Sequence, residues 1–176
     1  ELSVLQHDAA IEKKPVAVQQ LLQHVPEVSR LCDVDAVQLF TVDSTNITPE
    51  HWRILAREII RNFDSYDGFV VAHGTDTLAY TAAALSYLIQ NSPKPVILTG
   101  AQKPIGFEST DSKQNLTDSF RCAVAGLPGV LVVFGGRVLL GSRVRKTKSK
   151  SFSAFSSPNY PPLAAVQNGR VVSYFT

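Results

Sequence analysis

Three short apolar runs organise this chain: Gly68 to Ala72 (GFVVA), Val96-Ile97-Leu98, and Val130 to Phe134. The first reads as a strand buried on both sides of a sheet, the second as the next buried strand, and the third as a strand. Ala36 to Val42 differs, alternating Val37, Leu39 and Thr41 against Gln38, Phe40 and Val42, which predicts a strand of period two. Between the strands the period changes to that of helices. Trp52, Leu55, Ala56, Ile59, Ile60 and Phe63 recur at helical spacing after Thr48-Pro49-Glu50, a hydroxyl cap followed by a first-turn proline and an acid. Leu78 to Gln90 is Ala-rich and apolar almost all round, and predicts a buried helix ended by Pro93 and Pro95. Asp111 to Ala125 predicts a helix with Leu116, Phe120, Ala123 and Val124 inward. Pro15 is placed to open an earlier one, with Val16, Leu21, Leu22 and Val25 as its apolar face. Glu1 to Lys14 is polar and aperiodic and predicts a loop. Gly135-Gly136 and Asn168-Gly169 are hairpin signals, since both turn residues need positive φ.

Strands alternating with helices predict an α/β fold: a mostly parallel sheet with helices on both faces, ending in a β-hairpin region. In such sheets ligands sit beyond the carboxyl ends of the strands. That directs attention to three loops, Val42 to Ile47, His73 to Thr77, and Thr99 to Pro104.

At 176 residues, 44% of them hydrophobic and 18% charged, the chain has the size and composition of one ordinary globular domain. A net charge of +2 with interspersed signs is too weak to argue for nucleic acid, and no apolar run reaches transmembrane length, so neither nucleic acid nor a membrane is expected as a partner. Cys32 and Cys122 lie far apart with no CxxC and no metal-ligand spacing, which predicts free thiols in a reducing compartment. The chain contains no Met, so its true N-terminus is expected upstream of Glu1. Val171 to Thr176 is strand-like, so a following element is expected as well.

The loops supply candidate chemistry. Asp43-Ser44-Thr45-Asn46 offers a carboxylate and two hydroxyls, although a turn and helix cap explain it equally well. His73-Gly74-Thr75-Asp76-Thr77 is more specific. Gly74 permits a sharp turn, and Thr75 and Asp76 place a hydroxyl and a carboxylate at a helix N-terminus. Capping explains one of these residues but not the whole pentapeptide, while His73 alone reads as a packed histidine. Arg143 to Lys150 is basic, and for any one of Lys146, Lys148 or Lys150 the plainer explanation is a solvated side chain. A Lys beside a Thr hydroxyl and an Asp is nevertheless a workable device: the amine takes the hydroxyl proton and the carboxylate orients it.

These segments resemble the asparaginase family. The similarity runs through Asp67 to Thr81 (DGFVVAHGTDTLAYT) and Pro95 to Gln102 (PVILTGAQ), with Asp43 to Glu50 upstream and Arg143 to Lys146 and Phe152 to Asn159 downstream. It covers roughly Val16 to the end and is closer to the cytoplasmic bacterial, type I branch than to the secreted one. The resemblance implies that Thr75, Asp76 and Lys146 are catalytic, that Asp76 also holds the substrate's α-amino group and Ser44 its α-carboxylate, that Asp43 and Thr45 flank that pocket, and that Gly74 and Ala101 line it with backbone. A first hydroxyl nucleophile, carried in the family by a Gly-Gly-Thr-Ile motif, and a Tyr in a mobile N-terminal loop have no match here.

The expectation is therefore an asparaginase N-terminal domain lacking its first strand and its C-terminal domain. It would hydrolyse L-asparagine to aspartate and ammonia through a Thr acyl-enzyme, with backbone N–H groups near Thr75 stabilising the oxyanion. No metal or organic cofactor is expected. The complete protein is expected to be a cytoplasmic homodimer or homotetramer, and residues 1–176 alone to be inactive and to leave sheet edges unpaired. Two alternatives remain open: the asparaginase-like subunit of a tRNA-dependent amidotransferase, and a non-catalytic amino-acid-binding fragment.

Overall fold

The computed structural model describes residues 2–6, 18–103, 105–106 and 110–175. In chain order the elements are β1 (Leu2–Gln6), α1 (Val18–Gln23), β2 (Val34–Val37), α2 (Pro49–Arg61), β3 (Gly68–Ala72), α3 (Leu78–Leu88), β4 (Pro95–Thr99), α4 (Ser112–Val124), β5 (Gly129–Phe134), β6 (Arg137–Leu140), β7 (Arg145–Lys146), β8 (Phe155–Ser156), β9 (Ala164–Gln167) and β10 (Arg170–Ser173). Eight strands form one sheet in the order β10-β9-β6-β5-β4-β3-β1-β2. The strands from β2 to β5 run parallel to their neighbours, and β6, β9 and β10 are added antiparallel. β7 and β8 make a separate two-stranded ribbon.

Strand alternation divides the core between two layers. Phe69, Val71, Val96, Leu98, Val130 and Val132 face one way and pack with Leu55, Ile59, Leu78 and Leu85 of α2 and α3. Val70, Ile97, Leu131 and Val133 face the other way, against Leu116 and Phe120 of α4 and Val25 and Val28 after α1. Helices on both faces leave the central strands no polar side, which is why they read as unbroken apolar runs. Both hairpin signals form turns: Gly135 and Gly136 have φ of 57° and 72°, and Asn168 and Gly169 of 50° and 74°.

The structure corrects several sequence expectations. Leu2–Gln6 is a strand, not loop, and fills the slot between β2 and β3, so those neighbours are not left unpaired. Its five residues are too few for periodicity to reveal. The readings of Pro15, Val16 and the rest of the N-terminal segment up to Ala17 lie outside the described residues. The strand expected at Ala36 to Val42 sits at Val34–Val37 instead, because β1 offers partners only from Val34 to Val37. Past Val37 the alternating pattern has no ladder to join, and Leu39 packs against the α2–α3 core. α3 is not buried all round: Leu78, Ala82 and Leu85 are inward, whereas Tyr80, Tyr87 and Leu88 are exposed. In α4, Leu116, Phe120 and Ala123 are buried, but Val124, one residue round the helix from Ala123, is exposed.

Candidate functional site

The polar residues singled out in the sequence lie in loops that follow β2, β3 and β4, and in the β7–β8 ribbon. β3 ends at Ala72, and His73 continues its ladder by donating its N–H to the Thr99 carbonyl at 2.8 Å. Gly100 makes this closeness possible, since a Cβ there would lie 2.3 Å from the His73 carbonyl oxygen. His73 is buried, with Nδ1 2.7 Å from the Gly74 carbonyl and Nε2 2.9 Å from the Thr81 hydroxyl, which also accepts the Trp52 indole N–H at 2.9 Å. A carbonyl only accepts, so Nδ1 carries the proton and Nε2 accepts from Thr81. His73 thus fixes the peptide leading into Thr75, as a packed histidine would. Gly74 is not among the residues with positive φ, so the turn there does not use the left-handed backbone that glycine permits.

Thr75 and Asp76 precede α3, yet neither caps it. The residue at the cap is Thr77, and its hydroxyl donates instead to the Ser44 carbonyl at 2.6 Å, tying the loop after β3 to the loop after β2. The Lys146 ammonium donates to the Thr75 hydroxyl at 2.8 Å and to Asp76 Oδ1 at 2.7 Å. Both lengths are those of well-formed charge-assisted bonds. Thr75 is buried, the Lys146 side chain is 18% exposed and that of Asp76 53%, so the amine is shielded while the carboxylate opens to solvent. The ribbon explains how a basic stretch delivers one enclosed Lys. Lys146 pairs with Phe155, and Phe155 is buried against Phe134 at a ring separation of 4.8 Å. Lys148 and Lys150, beyond the ribbon, are exposed.

In the loop after β2 the side chains divide their roles. Asp43 Oδ1 accepts the Thr45 N–H and the Thr45 hydroxyl, each at 2.8 Å, so these two residues form the short helical turn Ser44–Asn46 between them. Ser44 is fully buried, and its hydroxyl has no hydrogen-bond partner among the described residues. Ala101 is half-buried in the loop after β4. Next to it stands a residue the sequence reading passed over: Gln102 Oε1 accepts the Thr75 hydroxyl at 3.0 Å. Gln102 lay within the PVILTGAQ segment, but nothing in its residue type signals chemistry, and its partner is 27 residues away.

An apolar hollow lined by Leu39, Phe40, Trp52, Leu55, Val71 and other residues lies under α2, and Thr75 and Lys146 are not part of its wall. Among the described residues no group of three or more His, Cys, Asp or Glu side chains could hold a metal ion. No helix there is long and apolar enough to cross a membrane. Cys32 and Cys122 are free thiols. Burial pushes both upward, Cys122 to about 12 with help from Asp118.

Residues 4–176 match the family model described as asparaginase, N-terminal. An L-asparaginase from Thermococcus kodakarensis is 43% identical over 139 residues, 79% of this chain and 42% of that protein. A solved thermostable L-asparaginase from the same organism superposes with a TM-score of 0.90 at 35% identity, covering 100% of this chain and 57% of the other. A solved probable cytoplasmic L-asparaginase from Campylobacter jejuni gives 0.90 at 32% identity, with 99% and 56% covered. A subunit of the glutamyl-tRNA(Gln) amidotransferase from Pyrococcus horikoshii is 38% identical over 162 residues, 87% of this chain and 37% of its own length. The chain thus spans less than half of each of these two relatives and a little over half of each solved chain.

Proposed function

Because the chain belongs to the asparaginase family, we propose that it forms the catalytic domain of an enzyme hydrolysing L-asparagine to L-aspartate and ammonia. The observation that carries this reading is the Lys146 ammonium, held against both the Thr75 hydroxyl and the Asp76 carboxylate. A hydroxyl coupled to an amine, and the amine to a carboxylate, is the arrangement nucleophilic amide cleavage needs.

In the proposed reaction a Thr hydroxyl oxygen bonds to the side-chain carbonyl carbon, while Lys146 gives one of its protons to the departing nitrogen and takes the hydroxyl proton in its place. The C–N bond breaks and ammonia leaves. Water then forms the new C–O bond, the ester to Thr breaks, and the hydroxyl recovers its proton. Backbone N–H groups near Thr75 stabilise the oxyanion. Asp76 serves twice: it orients Lys146 through one oxygen, and its exposed side receives the substrate's α-ammonium. The Ser44 hydroxyl, which has no partner among the described residues, donates to the α-carboxylate, with the Asp43–Thr45 turn setting its position and the Gly74 and Ala101 backbone lining the pocket. Neither metal nor organic cofactor enters the scheme. We place the protein in the cytoplasm, a reading supported by the two free thiols and by the likeness to a solved probable cytoplasmic L-asparaginase; that the complete protein is a homo-oligomer rests on the family resemblance alone.

A second reading has its own support, since the alignment with the glutamyl-tRNA(Gln) amidotransferase relative covers 87% of this chain. There the same amide chemistry would supply ammonia to a partner protein. Ammonia release from L-asparagine by the purified full-length protein separates the two: the first reading expects turnover without a partner, the second only with one. For the chemistry itself, Thr75→Val is expected to lower kcat by about a thousandfold or more. Turnover near the wild-type level would remove Thr75 from the reaction.

A further inference from the structure

We propose that Gln102 is a positioning residue that locks the Thr75 hydroxyl and the Lys146 segment into one register. Its side-chain amide has two ends with different partners. Nε2 donates to the carbonyls of Ser151 at 3.2 Å and Lys148 at 3.5 Å, and Oε1 accepts the Thr75 hydroxyl at 3.0 Å. Both neighbours on the nitrogen side are carbonyls, which only accept. That fixes the amide orientation, with its oxygen toward Thr75. The single hydroxyl proton of Thr75 is then committed to Gln102, and Lys146 meets a lone pair on the same oxygen.

The clasp stands on a fixed base. The Gln102 N–H donates to both oxygens of the buried Asp111 at 3.0 Å, and the Lys103 N–H donates to one of them at 3.1 Å. Asn115 Nδ2 donates to Asp111 at 3.2 Å and to the Gly100 carbonyl at 2.9 Å, while Asn115 Oδ1 accepts the Gly135 N–H at 3.0 Å. With its backbone held from α4 and the β5–β6 turn, Gln102 has only its side chain left to adjust. It therefore transmits the position of the 148–151 carbonyls to the Thr75 hydroxyl.

The kinetic half of this proposal rests on the function proposed above; the structural half does not. In the full-length protein, Gln102→Met keeps length and volume but removes every side-chain hydrogen bond. It should lower kcat for ammonia release roughly tenfold and leave KM within about twofold, since Gln102 does not touch Asp76 or Ser44. Hydrogen–deuterium exchange across residues 146–151 should quicken. Gln102→Glu retains an acceptor for Thr75 but no donor, so exchange should quicken as much while kcat falls less than in Gln102→Met. A Gln102→Met kcat within twofold of wild type would overturn the role at Thr75, as would equal kcat losses in both variants. Unchanged exchange in both would overturn the clasp. If the wild-type protein releases no ammonia, the proposed function fails, and exchange alone decides the clasp.

Discussion

A buried hydroxyl with no hydrogen-bond partner costs about 1–3 kcal/mol, and Ser44 has such a hydroxyl among the described residues, between Asp43 and Thr45, which bond to each other. In the proposed function the substrate's α-carboxylate takes that hydrogen bond and offsets the cost. Ser44→Ala should therefore leave thermal stability unchanged or raise it, while KM for asparagine rises about tenfold; a stable variant with normal KM would make Ser44 a packing residue. Asp76 holds Lys146 and, in the proposed function, also the substrate's α-ammonium, so Asp76→Asn should raise KM and lower kcat together, and steady-state kinetics showing neither would exclude it from the site. These assignments were only partly legible in the sequence. Thr75 and Asp76 stood out because one pentapeptide held more polar chemistry than a cap requires. Lys146 could not be told from Lys148 and Lys150 by composition, because what separates them is the pairing of Lys146 with Phe155.

Among the elements, the central strands and their helices were readable because burial on both faces leaves an apolar run and burial on one face a helical stripe. β1 and β2 were not. Leu2–Gln6 is a strand through its parallel pairing with β2 and β3, a non-local cause that five residues do not announce. β2 ends where β1 stops pairing, so the alternation continuing to Val42 misleads. Approach between strand ends is equally invisible in sequence: Gly100 sits in an ordinary-looking Thr-Gly-Ala, yet it faces the His73 carbonyl. Gly100→Ala would have to push β4 from β3, and is expected to cost about 3 kcal/mol in denaturant unfolding while loosening the loops that carry Thr75 and Gln102. A loss under about 0.5 kcal/mol would mean that the strand ends separate freely.

For the whole molecule, α4 and its buried Cys122 link stability to pH. Desolvation, reinforced by Asp118, pushes the Cys122 thiol from an ordinary 9.0 up to about 12. The folded state keeps that proton after the unfolded chain has lost it. Its contribution is thus complete below about pH 9 and lost as pH rises toward about 12. Over that window the unfolding free energy of the wild type should fall more steeply than that of Cys122→Ala, by up to about 1.4 kcal/mol per pH unit. Equal slopes would contradict the burial of the thiol. The catalytic account reaches across the molecule in another way: it joins a loop after a central strand to a ribbon some 70 residues later, and makes one lysine of a basic stretch unlike its neighbours. The most direct test is kcat for ammonia release from L-asparagine in full-length Lys146→Ala, Lys148→Ala and Lys150→Ala. Lys146→Ala is expected to lose a factor of about a thousand, in line with removal of a proton-transferring group, and the other two to stay within about twofold of wild type. Equal and mild losses in all three would contradict it, and would return Lys146 to the solvated face of a basic loop.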